Sequence, residues 1–178
     1  YIPTMIYIFN MNLLSVVVPC YNEEDSLEFF LDEIQKTLAD YNYEVIFIND
    51  GSEDSTLEKI RNLANSNPNV KYISFSRNFG KESAIYAGLV NATGNLICLI
   101  DADLQQHPKY ILQMLDIIKQ NPDLDGVSAY QDQRNEGKVL TFFKSCFYKI
   151  INKIADVEFY RSASDFRVLN RKMVDAIL

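Results

Sequence analysis

Short apolar segments alternate along the chain with segments whose apolar residues recur at helical spacing. The pattern predicts five strands, at residues 13–18, 44–49, 70–74, 96–100 and 126–130. It predicts four helices between them, at residues 26–39, 54–66, 82–91 and 109–120, with Ser52 as the N-cap of the second helix. A further helix is expected from Asn170 to Leu178. Regular alternation of strands and helices indicates an α/β fold, a mostly parallel sheet flanked by helices on both faces.

Polar residues follow four of the predicted strands. They occupy residues 19–24, 49–52, 76–78 and 101–103. In open parallel sheets the ligand binds beyond the carboxyl ends of the strands, because the loops that could contact it meet there. We therefore expect the functional site at this edge of the sheet.

Composition and charge narrow the class of protein. The 178 residues are 48% hydrophobic and 23% charged, which is typical of a globular chain long enough to bury a core. A net charge of −7 argues against binding to nucleic acid, since a phosphate backbone requires a basic surface. The three cysteines, Cys20, Cys98 and Cys146, are too widely spaced for a disulfide framework or a thiolate zinc site. No apolar run reaches the roughly 18 residues of a membrane-spanning helix.

Residues 134–155 differ from the rest of the chain. They carry a net charge of +4, and Val139, Phe143, Phe147, Ile150 and Ile154 recur at helical spacing. A basic amphipathic helix of this kind is typical of a membrane surface, but an ordinary core-facing helix with exposed lysines fits the pattern equally well.

The two ends of the chain suggest a longer parent protein. Residues 1–12 are expected to be a leader that precedes the domain, with Met11 as a natural start, and the final helix ends abruptly at Leu178. We therefore expect residues 13–178 to be a domain truncated at its C-terminal end.

Two carboxylates follow the fourth predicted strand, Asp101 and Asp103. Such oxygens suit Mg²⁺ or Mn²⁺, which take one or two protein carboxylates together with substrate phosphates. About one D-x-D triplet is expected by chance in a chain of this composition. The second copy, at Asp123 and Asp125, precedes a strand and is interpreted as a solvated loop at the other edge of the sheet.

Other polar residues at the strand ends have two interpretations each. Asp50 could accept hydrogen bonds from a base or ribose, or form a turn before Gly51. Glu23 and Glu24 could line a site or stabilise the first helix through its dipole. His107, the single histidine, is interpreted as a loop residue rather than a general base.

Four ordered motifs resemble those of the inverting GT-A-fold glycosyltransferases of family two. They are VVVPCYNEE at 16–24, INDGS at 48–52, SRNFGK at 76–81 and IDADLQ at 100–105. The segment SDFRVLNRKMVD at 164–175 is similar to the branch that transfers a sugar to a polyprenyl phosphate, which includes dolichol-phosphate mannose synthases and bactoprenol glucosyltransferases. The resemblance implies a GT-A, Rossmann-like sheet for residues 13–178.

The resemblance also implies a role for each matching residue. The nucleotide-sugar site would contain Pro19, Tyr21, Glu23, Asp50, Arg77, Lys81, Asp101, Ala102 and Asp103. Mg²⁺ or Mn²⁺ would be held by Asp103, Asp101 and Gln105. The acceptor phosphate would meet Arg134 and Arg167, while Gln131 stands where the family usually has a second arginine. The catalytic groups would be Asp103 and Asp165, with Asp165 as the candidate base; its other interpretation is a structural partner of Arg167 or Arg171.

The function that the resemblance implies is metal-dependent transfer of a hexose from a nucleotide sugar, UDP-glucose-like or GDP-mannose-like, to a polyprenyl phosphate with inversion. The enzyme would work at the cytoplasmic face of the membrane, with C-terminal membrane-spanning helices beyond this chain. One alternative keeps the reaction but uses a growing polysaccharide or glycan as acceptor. A second is a non-catalytic nucleotide-binding module. The sequence leaves open whether the chain forms a homo-oligomer.

Overall fold

The computed structural model describes residues 13–130 and 163–178. The strands of the described chain are β1 (Leu13–Cys20), β2 (Asn42–Asn49), β3 (Val70–Ser74), β4 (Leu96–Leu99), β5 (Gly126–Tyr130) and β6 (Ala163–Asn170). The helices are α1 (Leu27–Thr37), α2 (Thr56–Ser66), α3 (Lys81–Asn91), α4 (Tyr110–Gln120) and α5 (Arg171–Ile177). The predicted leader 1–12 and the predicted basic helix at 134–155 lie outside the described residues.

The strands form one sheet in the order β3-β2-β1-β4-β6-β5. Strands β1 to β4 are parallel, and β6 runs antiparallel to both of its neighbours, β4 and β5. The chain order reverses at β1, which lies between β2 and β4. Such a reversal opens a crevice at the carboxyl ends of the strands, where ligands of this fold class bind. The predicted α/β fold and mostly parallel sheet are confirmed.

The five predicted strands and the helices predicted within residues 13–130 and 163–178 are present, and β3 and β5 have the predicted bounds. Strand β6 was not predicted, although buried Phe166 and Val168 alternate there with the more exposed Asp165 and Arg167. It pairs with β4, about 70 residues earlier in the chain, and the sequence around β6 does not indicate which strand is its partner. The last helix begins after Asn170, whose side chain accepts a hydrogen bond from the Met173 amide.

Helices cover both faces of the sheet because successive strand residues point to opposite sides. Val16 and Val18 of β1 belong to the core that α1, α2 and α4 cover, whereas Val17 belongs to the core under α3 and α5. In the described part of the chain, none of the helices has the length and apolar composition needed to cross a bilayer.

Glu44 is buried near the start of β2, at the edge of the sheet opposite the polar strand ends. Its carboxylate accepts hydrogen bonds from Ser15 Oγ at 2.6 Å and from the amide and hydroxyl of Thr93 at 2.8 Å, and it pairs with Lys71 Nζ at 2.6 Å. Burial raises the pKa of Glu44, but these partners outweigh it and lower the pKa from 4.5 to about 2. The group is therefore structural.

We predict that Glu44 stabilises the folded protein at neutral pH and that this contribution to the free energy of unfolding is lost in acid. Because its pKa is lower in the folded state than in the unfolded state, its contribution is complete above about pH 5 and is lost as pH falls towards 2. Urea unfolding of the wild type and of Glu44→Gln at pH 7 and pH 3 measures this contribution. The stability difference between the two proteins should shrink by about 2 kcal/mol at the lower pH. If the stability of the two proteins changed equally between pH 7 and pH 3, the lowered pKa of Glu44 would be contradicted.

Candidate functional site

A cleft of about 390 Å³ opens at the carboxyl ends of β1, β2 and β4. Six of the residues predicted to bind a nucleotide sugar line it: Pro19, Tyr21, Glu23, Asp50, Lys81 and Asp101. Four lining residues were not predicted: Cys20, Asn78, Gly80 and Ala84. Each of these four lies within, or three residues beyond, a motif that was recognised, so proximity in sequence was the available signal.

The loops after β1 and β2 are joined by hydrogen bonds from backbone amides to side chains. The Asn22 amide donates to Ser52 Oγ at 3.0 Å, and the Glu23 amide donates to Thr56 Oγ1 at 2.8 Å. Asn22 has a φ of 55°, a left-handed conformation that asparagine tolerates better than most residues. These contacts attach the loop that carries Tyr21 and Glu23 of the cleft lining to the segment that follows β2.

The start of α2 differs from the prediction. Ser55, not Ser52, precedes the helix, because Ser52 Oγ accepts the Asn22 amide instead. Glu24 Oε2 accepts the Ser55 amide at 2.9 Å, so this carboxylate stabilises the start of α2. Glu24 therefore has a contact at the start of the second helix, which the sequence analysis did not predict, while it also lies just before α1.

Asp50 holds the loop that precedes α3. Its side chain is buried, with Oδ1 accepting the Phe79 amide at 2.7 Å and Oδ2 accepting the Gly80 amide at 2.9 Å. The same loop passes directly over Gly51, where an added Cβ would lie 2.2 Å from the carbonyl carbon of Arg77. Asp50 and Gly51 together therefore determine where the loop enters α3.

Lys81, the first residue of α3, lies between two carboxylates. Its Nζ is 2.8 Å from Asp101 and 2.9 Å from Asp165 Oδ2. Partial burial by itself lowers the pKa of Lys81, but hydrogen bonds to Asp101 and Asp165 and their charges outweigh it, so the pKa is raised. The ammonium therefore stays charged and neutralises part of this acidic cluster.

The two remaining residues of the D-x-D triplet differ in exposure. Ala102 is buried in the core, while the Asp103 carboxylate is exposed and accepts the Gln105 amide through Oδ1 at 3.0 Å. Leu104 has a φ of 57°, a left-handed conformation that costs about 1–2 kcal/mol in a residue of this kind. The strained turn brings the Gln105 amide back onto Asp103.

These residues fit a divalent cation that shares its ligands with a substrate phosphate. Within residues 13–130 and 163–178, no three His, Cys, Asp or Glu side chains form a cluster that could hold a metal on their own. Mg²⁺ and Mn²⁺ commonly take only one or two protein carboxylates beside phosphate oxygens and water. Asp103, with its exposed carboxylate, is the ligand that the geometry favours, because both oxygens of Asp101 face Lys81.

Asp165 pairs with Arg167, one of its two predicted structural partners. Arg167 donates through Nη2 to Asp165 Oδ1 at 3.2 Å. The predicted pairing of Asp165 with Arg171 is wrong, since Arg171 donates instead to the carbonyl oxygens of Ala92 and Gly94 at 2.7 Å. Asp165 nevertheless lies beside the cleft through Lys81, so its structural pairing does not remove it from the site.

The remaining residues that the sequence analysis singled out lie apart from the cleft lining or outside the described residues. Arg77 is exposed, and its guanidinium carbon lies 4.6 Å from the centre of the Phe79 ring, a cation–π contact outside the lining of the cleft. Arg134 and Gln131 lie outside the described residues. His107 accepts the Lys109 amide through Nδ1 at 3.1 Å, which agrees with a loop residue at the start of α4.

Cys20 lines the cleft but does not act there as a nucleophile. Burial, together with the charges of Glu23 and Asp101, raises the pKa of the Cys20 thiol well above its usual value, so this cysteine is not a thiolate nucleophile.

The second D-x-D triplet lies away from the cleft. Asp125 lies before β5, where it accepts Asn170 Nδ2 at 3.1 Å and pairs with Lys172 at 3.5 Å. The second D-x-D copy is confirmed as an exposed loop at the far edge of the sheet.

Comparison with protein families identifies the domain. The family model described as glycosyl transferase family 2 matches residues 15–178. The putative glycosyltransferase CsbB of Bacillus subtilis (strain 168) is 41% identical over 169 residues, which cover 93% of this chain and 50% of CsbB. The bactoprenol glucosyl transferase of Shigella phage SfX is 36% identical over 166 residues, 92% of this chain and 54% of that protein. The chain spans about half the length of these relatives.

A solved structure shares the architecture. The mannosyltransferase PcManGT from Pyrobaculum calidifontis, solved in complex with GDP-Man and Mn²⁺, superposes with a TM-score of 0.65 at 22% identity, covering 92% of this chain and 46% of that chain. At this level of identity the similarity concerns the fold, which is that of the GT-A glycosyltransferases.

Proposed function

The chain belongs to glycosyl transferase family 2, and on that basis we propose that it transfers a hexose from a nucleotide sugar to a polyprenyl phosphate with inversion. The observation that carries the proposal is the cleft at the carboxyl ends of the strands, where Asp101 and Asp165 meet at Lys81. Asp101 follows a core strand and lines the cleft, whereas Asp165 lies in the segment similar to bactoprenol-type enzymes. Relatives named bactoprenol glucosyl transferase support a polyprenyl-phosphate acceptor.

The donor would occupy the cleft. Tyr21 presents an exposed ring at its entrance, against which a base could stack, and Pro19 and Glu23 form the adjoining wall. Asp50 uses both carboxylate oxygens to hold the 77–80 loop, but each oxygen has a second lone pair that could accept from a base. Asp101 and the backbone of Ala102 would lie at the ribose and diphosphate, with Arg77 and Lys81 near the nucleotide.

The reaction breaks the bond between the anomeric carbon and the donor diphosphate. An oxygen of the acceptor phosphate attacks from the opposite face, and the nucleoside diphosphate leaves with the bonding electrons, so configuration inverts. Mg²⁺ or Mn²⁺, held by Asp103 with Asp101 and Gln105 nearby, would stabilise the charge on the leaving diphosphate. The Mn²⁺ in the mannosyltransferase complex supports this cofactor.

The acceptor phosphate is already an anion at neutral pH and requires little deprotonation. Its positioning is therefore the larger task for the protein, and Arg167 with Arg134 would provide charge-assisted hydrogen bonds to it. Asp165 is the candidate base, and its contacts with Lys81 and Arg167 support this role, because the donor would lie near Lys81 and the acceptor phosphate would bind Arg167. Because a polyprenyl chain resides in a bilayer, we place the reaction at the cytoplasmic membrane surface, which the charge of residues 134–155 complements.

The test begins with the donor. Thermal unfolding of the protein is measured with UDP, GDP, UDP-glucose and GDP-mannose, each with Mn²⁺ or with EDTA. One nucleotide class should raise the melting temperature only with Mn²⁺; a ligand at 100 times its Kd stabilises by about 2.7 kcal/mol. Stabilisation that is equal in EDTA would contradict the metal-dependent part of the proposal.

The acceptor is tested with the donor so identified, labelled in its sugar. Label should enter the lipid phase only when polyprenyl phosphate is present, and a soluble oligosaccharide should accept none. Transfer to the oligosaccharide would favour the polysaccharide alternative, and nucleotide binding without transfer to either acceptor would favour the non-catalytic module.

A further inference from the structure

We infer that Lys81 is a positioning residue, which holds the Asp165 carboxylate at the donor cleft by binding it to the ammonium that also binds Asp101. The inference deepens the proposed function and rests on it for the identity of the reaction. Its structural basis is independent of that identity, because the three side chains come from three separate parts of the fold: the start of α3, the loop after β4, and β6.

The strand register explains why a cation is needed here. Strand β6 pairs antiparallel with β4 so that Leu99 lies opposite Arg167 and Cys98 opposite Val168. Asp101 lies two residues beyond Leu99 and Asp165 lies two residues before Arg167, so the two carboxylates belong to neighbouring segments of the chain, and both contact the same ammonium. Like charges this close to each other repel, so a cation between them stabilises the pair. Lys81 Nζ, at 2.8 and 2.9 Å, supplies it.

The backbone of Lys81 is held independently of its side chain. The preceding residue, Gly80, has a φ of 97° and donates its amide to Asp50, and the Phe79 amide donates to the same carboxylate. Replacing the Lys81 side chain would therefore leave the start of α3 in place. The structural change caused by the substitution should therefore be confined to the Asp101 and Asp165 side chains.

Asp165 has a second cation on its other oxygen. Oδ1 accepts Arg167 Nη2 at 3.2 Å, whereas Oδ2 accepts Lys81 Nζ at 2.9 Å. Without the ammonium, repulsion from Asp101 would drive the exposed Asp165 side chain towards Arg167 on its own strand. Lys81 therefore decides whether Asp165 faces the donor cleft or turns along β6.

The experiment compares Lys81→Met and Lys81→Arg with Lys119→Met, a control that removes the charge of an exposed lysine in the last turn of α4. Lys81→Met should lower kcat for sugar transfer by about 100-fold, as expected for a misplaced reacting group. Lys81→Arg keeps the charge and should remain within about tenfold of the wild type. Lys119→Met should leave kcat unchanged.

A double-mutant cycle with Asp165→Asn separates positioning from direct donor binding. If Lys81 acts through Asp165, adding Lys81→Met to Asp165→Asn should change kcat by less than about twofold, since the losses are not additive for coupled groups. Losses that multiply would overturn the inference. So would a fall in nucleoside-diphosphate affinity, measured by calorimetry, as large as the fall in kcat.

A crystal structure of Lys81→Met tests the inference without any activity. The Asp165 carboxylate should move away from Asp101 towards Arg167, and an unmoved carboxylate would overturn the inference. A wild-type protein that transfers no sugar to any acceptor would contradict the proposed function instead, while this structural result would still decide the role of Lys81.

Discussion

Replacing Asp103 with asparagine is expected to lower kcat/KM for sugar transfer by about 1000-fold, because a metal ion contributes several kcal/mol of charge stabilisation in a transition state. The carboxylate is exposed at the end of β4, and its described hydrogen bond is to the Gln105 amide, which asparagine could also accept. The substitution therefore removes charge with little structural change. Transfer rates and the Mn²⁺-dependent rise in melting temperature with nucleotide measure the effect.

The chain contains its own control for this prediction. Asp125 is the second carboxylate of the other D-x-D triplet, lies at the opposite edge of the sheet and pairs with Lys172. Asp125→Asn should leave both transfer and Mn²⁺-dependent nucleotide binding as in the wild type. If Asp103→Asn retained Mn²⁺-dependent binding, the metal would have to be held by other residues.

Replacing Gly51 with alanine is expected to destabilise the fold by about 3 kcal/mol, which combines the cost of a left-handed residue with that of overpacking. Gly51 has a φ of 66°, and its added Cβ would lie 2.2 Å from the Arg77 carbonyl carbon and 2.5 Å from the Asn78 nitrogen. Both contacts are with backbone, which cannot rotate away. The melting temperature should fall by roughly 6–12 °C.

In Gly51→Ala the affinity for nucleotide should fall together with the melting temperature, because the displaced 77–80 loop carries Gly80 of the cleft lining and leads into Lys81.

Gly80→Ala is the control for the Gly51 substitution. Gly80 also has a positive φ, 97°, but the nearest atom to its added Cβ is the mobile Glu82 Oε2 at 3.7 Å. Gly80→Ala should show a backbone cost alone, about 1–3 kcal/mol, because a φ of 97° with a ψ of 154° is a conformation essentially restricted to glycine. A loss in Gly51→Ala no larger than about 1–2 kcal/mol, the cost of a left-handed residue by itself, would show that the close approach to Arg77 has no energetic weight.

Much of the fold was predictable because its signals are local. Strands such as β3 and β5 are marked by apolar segments between turns, and α1 by Phe30 and Ile34 one turn apart on its buried face. The position of Asp50 and Asp101 at strand ends then predicted one shared edge, since the strands before them are parallel. The cleft lined by both residues lies at that edge.

The partners of the polar groups were harder to predict. Asp50 was expected either to face a base or to form a local turn, and in the structure it holds a loop about 30 residues away in sequence. Ser52 was expected to cap α2 and instead accepts the Asn22 amide. A hydroxyl or carboxylate can accept from any amide brought within reach, so sequence spacing alone does not choose among them.

The sequence by itself determined the α/β alternation, the edge of the sheet that carries the cleft, and three of the residues that line it, Tyr21, Asp50 and Asp101. Only the tertiary structure decided that β6 enters between β4 and β5, with Asp165 beside Asp101 and Lys81 between them. The physical reason is that helical and strand periodicity depend on neighbouring residues. The register of β6 instead depends on Phe166 and Val168 packing into a core built from strands far away in the chain.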